Sequence, residues 1–309
     1  MSSLIASSWL PACLAITTLA ASTTGAATLV WDPAGAGGGT GTWDTTATDW
    51  DNDGSAVAWN NATGDTASFG GSAGTVTLSE AITAGGLGFT VDGYTVTGNT
   101  LTISGGGALN VGSGLSATLA SELSAADGID KTGAGTLTVS GAYANTGTGV
   151  ITVSEGTLRM AQSGLAANTN GWGNGRAIEV ASGATLEAAA NWMAGTQGRL
   201  VTLNGGTLSL VNGSSTDSFN YVNNLVLNDG ASVIGNAMRM AYYAEGLVTV
   251  GGASASTISA GISLQNFGGR KATFDVADVT NSPAPDLTVS GVIRNAVVPV
   301  VKDGVETCC

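Results

Sequence analysis

The sequence predicts an all-β chain wound into a right-handed parallel β-helix, a solenoid closed at its N-terminal side by an aromatic cap. Three observations carry that prediction. Glycine at 48 residues against 5 prolines, in a chain of 309 residues that is 43% hydrophobic, fits many short strands joined by tight turns. The glycines keep no three-residue step, which excludes collagen. Thr136–Val139, Val150–Val153 and Thr157–Met160 alternate small or polar with aliphatic residues, between turns supplied by Gly133, Gly135, Gly141, Gly147, Gly149 and Gly156; this is the two-residue period of half-buried strands. Finally, a small-Thr/Ser-aliphatic triplet recurs. It ends at Leu101, Leu119, Leu137, Leu158, Leu186, Leu208, Val233 and Ile258, with intervals of 18, 18, 21, 28, 22, 25 and 25, and a strand-bearing repeat of that length indicates a solenoid.

The geometry agrees, since a coil of about 20 residues holds three short strands with their turns, and coils stack at about 4.8 Å. About twelve coils, a rod of roughly 60 Å, are expected. Each coil should bury about four aliphatic side chains, at about 1.5–3 kcal/mol apiece relative to exposure. Leu137 is expected in one column between Leu119 and Leu158. A compact β-sandwich is the rival, but it would not need the same triplet at near-regular intervals.

Taken in order, residues 1–27 read as a secretory signal. Trp9–Ala21 is apolar and Ser22–Ala27 is small, with cleavage expected near Ala26 or Ala27. The run is shorter than the roughly 20 residues of a membrane-spanning helix, and no Lys or Arg precedes it; the rival reading is an internal strand. Leu10–Cys13 loosely matches a lipoprotein cleavage box. Residues 28–71 hold Trp31, Trp43, Trp50, Trp59 and Phe69, a set suited to covering the open end of a β-helix; the alternative is a sugar-stacking platform. Residues 72–294 are expected to form the β-helix. Within it, Gly/Asn-rich sequence between Met160 and Ile178, with Trp172 and Arg176, reads as a projecting loop, and Glu187–Gln197 as the place for a helical turn. Residues 295–309 form a tail in which Val301–Thr307 faintly repeats Ile129–Thr136.

Charge excludes several functions. Nine basic and 22 acidic residues give −13, a field that repels nucleic acid and suits a solubility device or a divalent-cation surface. The chain contains no histidine, which removes Ser-His and Cys-His nucleophiles and the commonest zinc ligand. Cys308 and Cys309 are adjacent and cannot join distant parts of a fold.

Across residues 128–160, Lys131, Gly133, Gly135-Thr136-Leu137, Val139 and Gly141 are followed by Asn145 and Gly147, then Val153, Gly156 and Leu158. This pattern resembles the autotransporter-associated β-strand repeat, also called the passenger-associated transport repeat, of Gram-negative surface proteins. Gly41-Thr42-Trp43, Trp50, Trp59 and Asp65–Phe69 are similar to the N-terminal run of that family. The resemblance implies an exported passenger whose repeat helps it cross the outer membrane and fold. It also implies further coils and an outer-membrane translocator barrel as partner. Ten alternating strands with an aromatic girdle do not fit after Leu287, so a truncated or frame-shifted passenger is expected, with its barrel encoded elsewhere or lost.

Few constellations suggest chemistry. Asp49, Asp51 and Asp53 before Gly54 have the start of an EF-hand loop, but Asn60 stands where the bidentate Glu belongs, leaving a weak calcium loop or solvated turn acids. Arg270-Lys271 with Asp275 and Asp278 is the one cluster mixing the residue types of a pectate-lyase-like groove; alternation instead puts Asp275 on the wet face. Gly171–Gly175 lacks the spacing of a dinucleotide loop, so no nucleotide is expected. Asn61 and Asn212 match the glycosylation pattern by chance. No catalytic, metal or cofactor residues are assigned, and no cofactor is expected. The expected function is a non-enzymatic surface stalk or adhesin-like scaffold of the type V secretion class, touching an extracellular glycan or a host or neighbouring cell. The alternatives are a secreted β-helical polysaccharide lyase or hydrolase, or a glycan-binding filament protein that uses Trp172.

Overall fold

Alternation in the sequence becomes a rung wherever two inward aliphatic residues flank one outward polar residue. Thr136–Val139 buries Leu137 and Val139 and leaves Thr136 and Thr138 half exposed; Thr157–Met160 and Thr185–Ala188 repeat the arrangement. One rung cannot bury its apolar side alone, so the rungs stack. The computed structural model describes residues 25–144, 147–162, 176–190, 200–211, 220–241, 245–264, 270–294 and 300–303. In them the chain is a parallel β-helix, and the solenoid reading holds against the sandwich.

Each complete coil lays one strand on each of three faces. The first face is a 14-stranded sheet, the second an 11-stranded sheet, and the third is covered by two 4-stranded sheets. In the coil bearing Lys131, the strands are Ile129–Thr132, Thr136–Val139 and Tyr143–Ala144. The third face is built first by Ile82–Ala84, Leu101–Ile103, Leu123–Ser124 and Tyr143–Ala144. It is built again by Asn220–Tyr221, Met238–Met240, Ile262–Leu264 and Ile293–Arg294. The corners are tight because successive turns lie directly on one another. At the corner after Ile129–Thr132, Gly133 adopts φ +72°, and a Cβ there would stand 2.4 Å from the Val111 carbonyl oxygen. At the next corner, a Cβ on Gly141 would stand 1.8 Å from the Ser121 carbonyl oxygen. Only glycine fits both.

The core is a set of columns running along the axis. On the first face one column passes through Leu29, Ala67, Leu87, Leu109, Lys131, Val153, Val180, Leu203, Leu227, Val250 and Val276. Its neighbour runs through Ile129, Ile151, Ile178, Val201, Leu225, Val248 and Phe274. On the second face Ala117, Leu137, Leu158, Leu186, Leu208, Val233 and Ile258 form one column.

That last column corrects the expected register in one place. Leu137 does lie on Leu158, but its other neighbour is Ala117; Leu119 pairs with Val139. Leu101 belongs to the third face, between Ile82 and Leu123. Sliding a strand by two residues keeps every side chain on its own side, so alternation alone cannot tell the two registers apart.

At the N-terminal side the expected aromatic covering is present. Thr28–Trp31 and Gly41–Trp43 are the first rungs of the two large sheets. Trp50–Asn52 and Ser55–Val57 form an antiparallel hairpin against Thr28–Trp31. All four indoles are at most 1% exposed. Trp43 contacts Trp50 and Trp59 at 4.7 Å between ring centroids, and Trp31 meets Trp50 edge-on at 5.0 Å. Phe69 stacks on Phe89 at 5.1 Å and carries the aromatic column inward. Such rings offer no face to a sugar. Asp65 ties this coil shut, accepting the Ala27 N–H at 2.7 Å and the Thr63 hydroxyl at 2.6 Å.

The expected helical turn is absent from the described part of its span: Thr185–Ala188 is strand, and residues 191–199 lie outside the described residues. Among the described residues the helical element is instead a 3-10 turn at Pro33–Gly35.

Truncating one column member should open a cavity that the stacked coils cannot close. Leu158→Ala is expected to cost about 2–5 kcal/mol, and Thr157→Ala, on the outer side of the same strand, less than about 0.5 kcal/mol. Guanidinium titration of both variants checks the contrast.

Candidate functional site

The residues at the corner after Ile129–Thr132 begin with a lysine in an aliphatic column. Ile129 faces inward, so the two-residue period turns Lys131 inward too, between Leu109 and Val153. Its side chain is fully buried. An ammonium there must find acceptors, and it donates to the carbonyls of Thr132 at 2.8 Å, Gly133 at 2.7 Å and Glu155 at 3.1 Å. Two of these belong to its own turn; the third belongs to the next coil. Burial pushes the ammonium down to about 8, against the smaller upward pull of the Glu155 and Asp130 carboxylates.

Arg176 makes a second buried cation site, which corrects its expected place on a projecting loop. It precedes Ile178 by two residues and therefore points inward with it, and it is fully buried. Its guanidinium donates through Nη1 to the carbonyls of Ala125 and Gly149 and to the Tyr143 hydroxyl, and through Nη2 to the Ala126 carbonyl. The guanidinium carbon lies 5.5 Å from the centre of the Tyr143 ring, within reach of a cation–π contact. The pairing recurs at Arg239, where Nη1 lies 3.1 Å from the Tyr221 hydroxyl and the guanidinium carbon 5.7 Å from the ring centre. Tyr143 closes the first third-face sheet, and Tyr221 opens the second.

On the outer surface, Arg159 and Glu187 stand on neighbouring rungs of the second sheet and form an ion pair. These uses matter because cations are scarce: the first 130 residues contain no Lys or Arg, and Lys131 is the first in the chain. The outward column beside the Arg159–Glu187 pair is hydroxylic, passing through Ser116, Thr136, Thr157, Thr185, Thr207, Ser232, Thr257 and Thr288. Threonine suits such positions because its branched side chain packs on the pleat while its hydroxyl stays wet.

The other candidate residues resolve into local structure. Asp49, Asp51 and Asp53 lie along the hairpin, whose two-residue turn is Asp53-Gly54 with φ of 50° and 86°. Positive φ at both positions is the Asp-Gly signature of a type I′ turn, and it accounts for Asp53 before Gly54. Asp275 is exposed between buried Phe274 and Val276, as alternation requires. Glu245 accepts the Lys271 backbone N–H at 3.0 Å, and Asp278 accepts that of Asn281 at 2.9 Å, so both carboxylates brace turns. Asn61 bridges to the Thr83 N–H and the Ala81 carbonyl. Trp172, Gly171–Gly175, Asn212, Cys13, Cys308 and Cys309 lie outside the described residues.

Comparison with known proteins places this arrangement. Over 96 residues, 28% of the chain, the sequence is 45% identical to the adhesin BmaC autotransporter of Brucella suis biovar 1 (strain 1330). The matched part is 3% of that protein, so the chain spans a small fraction of its relative's length. No protein-family model matches the chain, and no solved structure matches it.

The buried lysine predicts a pH dependence of known sign. The folded value of about 8 lies below the roughly 10.4 of an unfolded lysine, so between these values the unfolded chain holds more protons and stability rises with pH. A gain of about 1–2 kcal/mol is expected between pH 7.5 and 9.5, and Lys131→Met should abolish it. Guanidinium midpoints across that range measure both.

Proposed function

We propose that this chain is an exported, non-enzymatic scaffold of the autotransporter-passenger kind. It holds an adhesive surface away from the cell and meets an extracellular glycan or a host or neighbouring cell. The observation that carries the reading is the 45% identity to an adhesin autotransporter in a chain folded as one continuous parallel solenoid. A solenoid whose coils touch only their neighbours can assemble coil by coil as it emerges from a pore, which suits passage across an outer membrane toward a translocator barrel. The repeat across residues 128–160 contributes the coil with its buried ammonium to that process. Absence of histidine supports a role without hydrolytic chemistry.

Fusing the chain to an outer-membrane barrel tests the reading. The fusion is expected to appear on intact cells, to be accessible to added protease, and to raise retention of the cells on glycan-coated or cell-coated surfaces. Retention in the periplasm, or surface display with no gain in adhesion, would overturn it. Incubation with a panel of polysaccharides is expected to release no reducing sugar, and release would favour the lyase or hydrolase instead.

A further inference from the structure

Neighbouring coils of this solenoid are close to interchangeable. On the second face Thr136-Leu137-Thr138-Val139, Thr157-Leu158-Arg159-Met160, Thr185-Leu186-Glu187-Ala188 and Thr207-Leu208-Ser209-Leu210 follow one another in register. On the first face the inward pairs Ile151/Val153, Ile178/Val180 and Val201/Leu203 could trade places with little change in buried area. A chain that skipped one coil would still pair strands and stack aliphatic side chains. Burial of apolar surface is non-directional, so it discriminates poorly between the native stack and one slipped by a coil.

The buried cations do discriminate. Lys131 donates to the Glu155 carbonyl of the following coil. Arg176 reaches back to Ala125 and Ala126, across 51 and 50 residues, while also meeting Tyr143 and Gly149 of the intervening coil. Those acceptors surround the guanidinium only when the rungs Ile129–Thr132, Ile151–Val153 and Ile178–Val180 are stacked in that order. On the outside, the Arg159–Glu187 pair fixes the same order between Thr157–Met160 and Thr185–Ala188. A slip of one coil breaks up the set of Ala125, Ala126, Tyr143 and Gly149 around Arg176 and takes from Lys131 the one acceptor outside its own turn, Glu155, leaving charge poorly partnered in an aliphatic interior, a heavy penalty.

We propose that Lys131 and Arg176 are register keys: they add little net stability, but they make the native order of coils the one arrangement in which buried charge is satisfied. The depressed Lys131 ammonium fits this role, since a group that resists burial while charged serves selection better than strength.

The full chain carrying Lys131→Met and Arg176→Leu together tests the proposal, with Leu158→Ala as a variant that loses packing but keeps both cations. Each protein is unfolded in guanidinium and refolded. Hydrogen exchange read by mass spectrometry then follows peptides from residues 129–160. The double variant is expected to fold and to show two isotopic envelopes over this stretch, the faster one at least about tenfold above its wild-type share, the ratio that about 1.4 kcal/mol of lost discrimination gives. Leu158→Ala is expected to be less stable and to show one envelope. A double variant that refolds with one envelope, or fails to fold at all, would overturn the proposal. So would a Leu158→Ala protein or a wild type that splits equally.

Discussion

Parallel, in-register stacking is the constraint on which the rest of this protein depends. Each inner rung gives its backbone hydrogen bonds to the rung before it and the rung after it, and each inward side chain rests on its counterpart one coil away. The structure is thus nearly one-dimensional, with stability arising as a sum over neighbouring coils. The composition follows from that arrangement. Corners stacked directly on one another leave no space for a Cβ, so Gly133 and Gly141 are required where a neighbouring carbonyl oxygen stands within 2.4 Å and 1.8 Å. Outward positions want β-branched hydroxyls, and inward ones want Leu, Ile and Val. The result is a chain rich in glycine, threonine and aliphatic residues and poor in charge.

Much of this was legible in the sequence. The two-residue period located rungs such as Thr136–Val139 because one face is wet and the other dry, and the spacing of the triplets announced a solenoid. The tryptophan-rich segment announced a covered end, since four large aromatic residues before the first repeat have few other uses. Register was not legible, because a two-residue slide leaves burial unchanged; Leu119 was misaligned for that reason, and Leu101 because the same triplet also occurs on the third face. The inward cations were missed although a signal existed. Lys131 follows inward Ile129 by two and Arg176 precedes inward Ile178 by two, so alternation had already turned both toward the core. The expectation that charge belongs outside outweighed it. For Asp53 before Gly54, the chemistry of a tight hairpin turn gives the local geometry.

The distribution of charge follows the same division between inside and outside. Apart from buried Asp65 and Asp286, the acidic residues among those described lie at the surface along the rod, and through the first 130 residues no base opposes them, a field that sets rods apart. Of the cations that follow, Lys131, Arg176 and Arg239 are used inside and Arg159 across rungs. A scaffold with few surface cations presents mainly hydroxyls and carboxylates to its surroundings.

The antiparallel hairpin at Trp50–Val57 gives the rod a direction. It pairs against the first rung in the opposite sense and sets its indoles across the mouth of the core, so on the first face a further parallel coil finds no matching edge there. On that face, parallel stacking runs only away from the tryptophans.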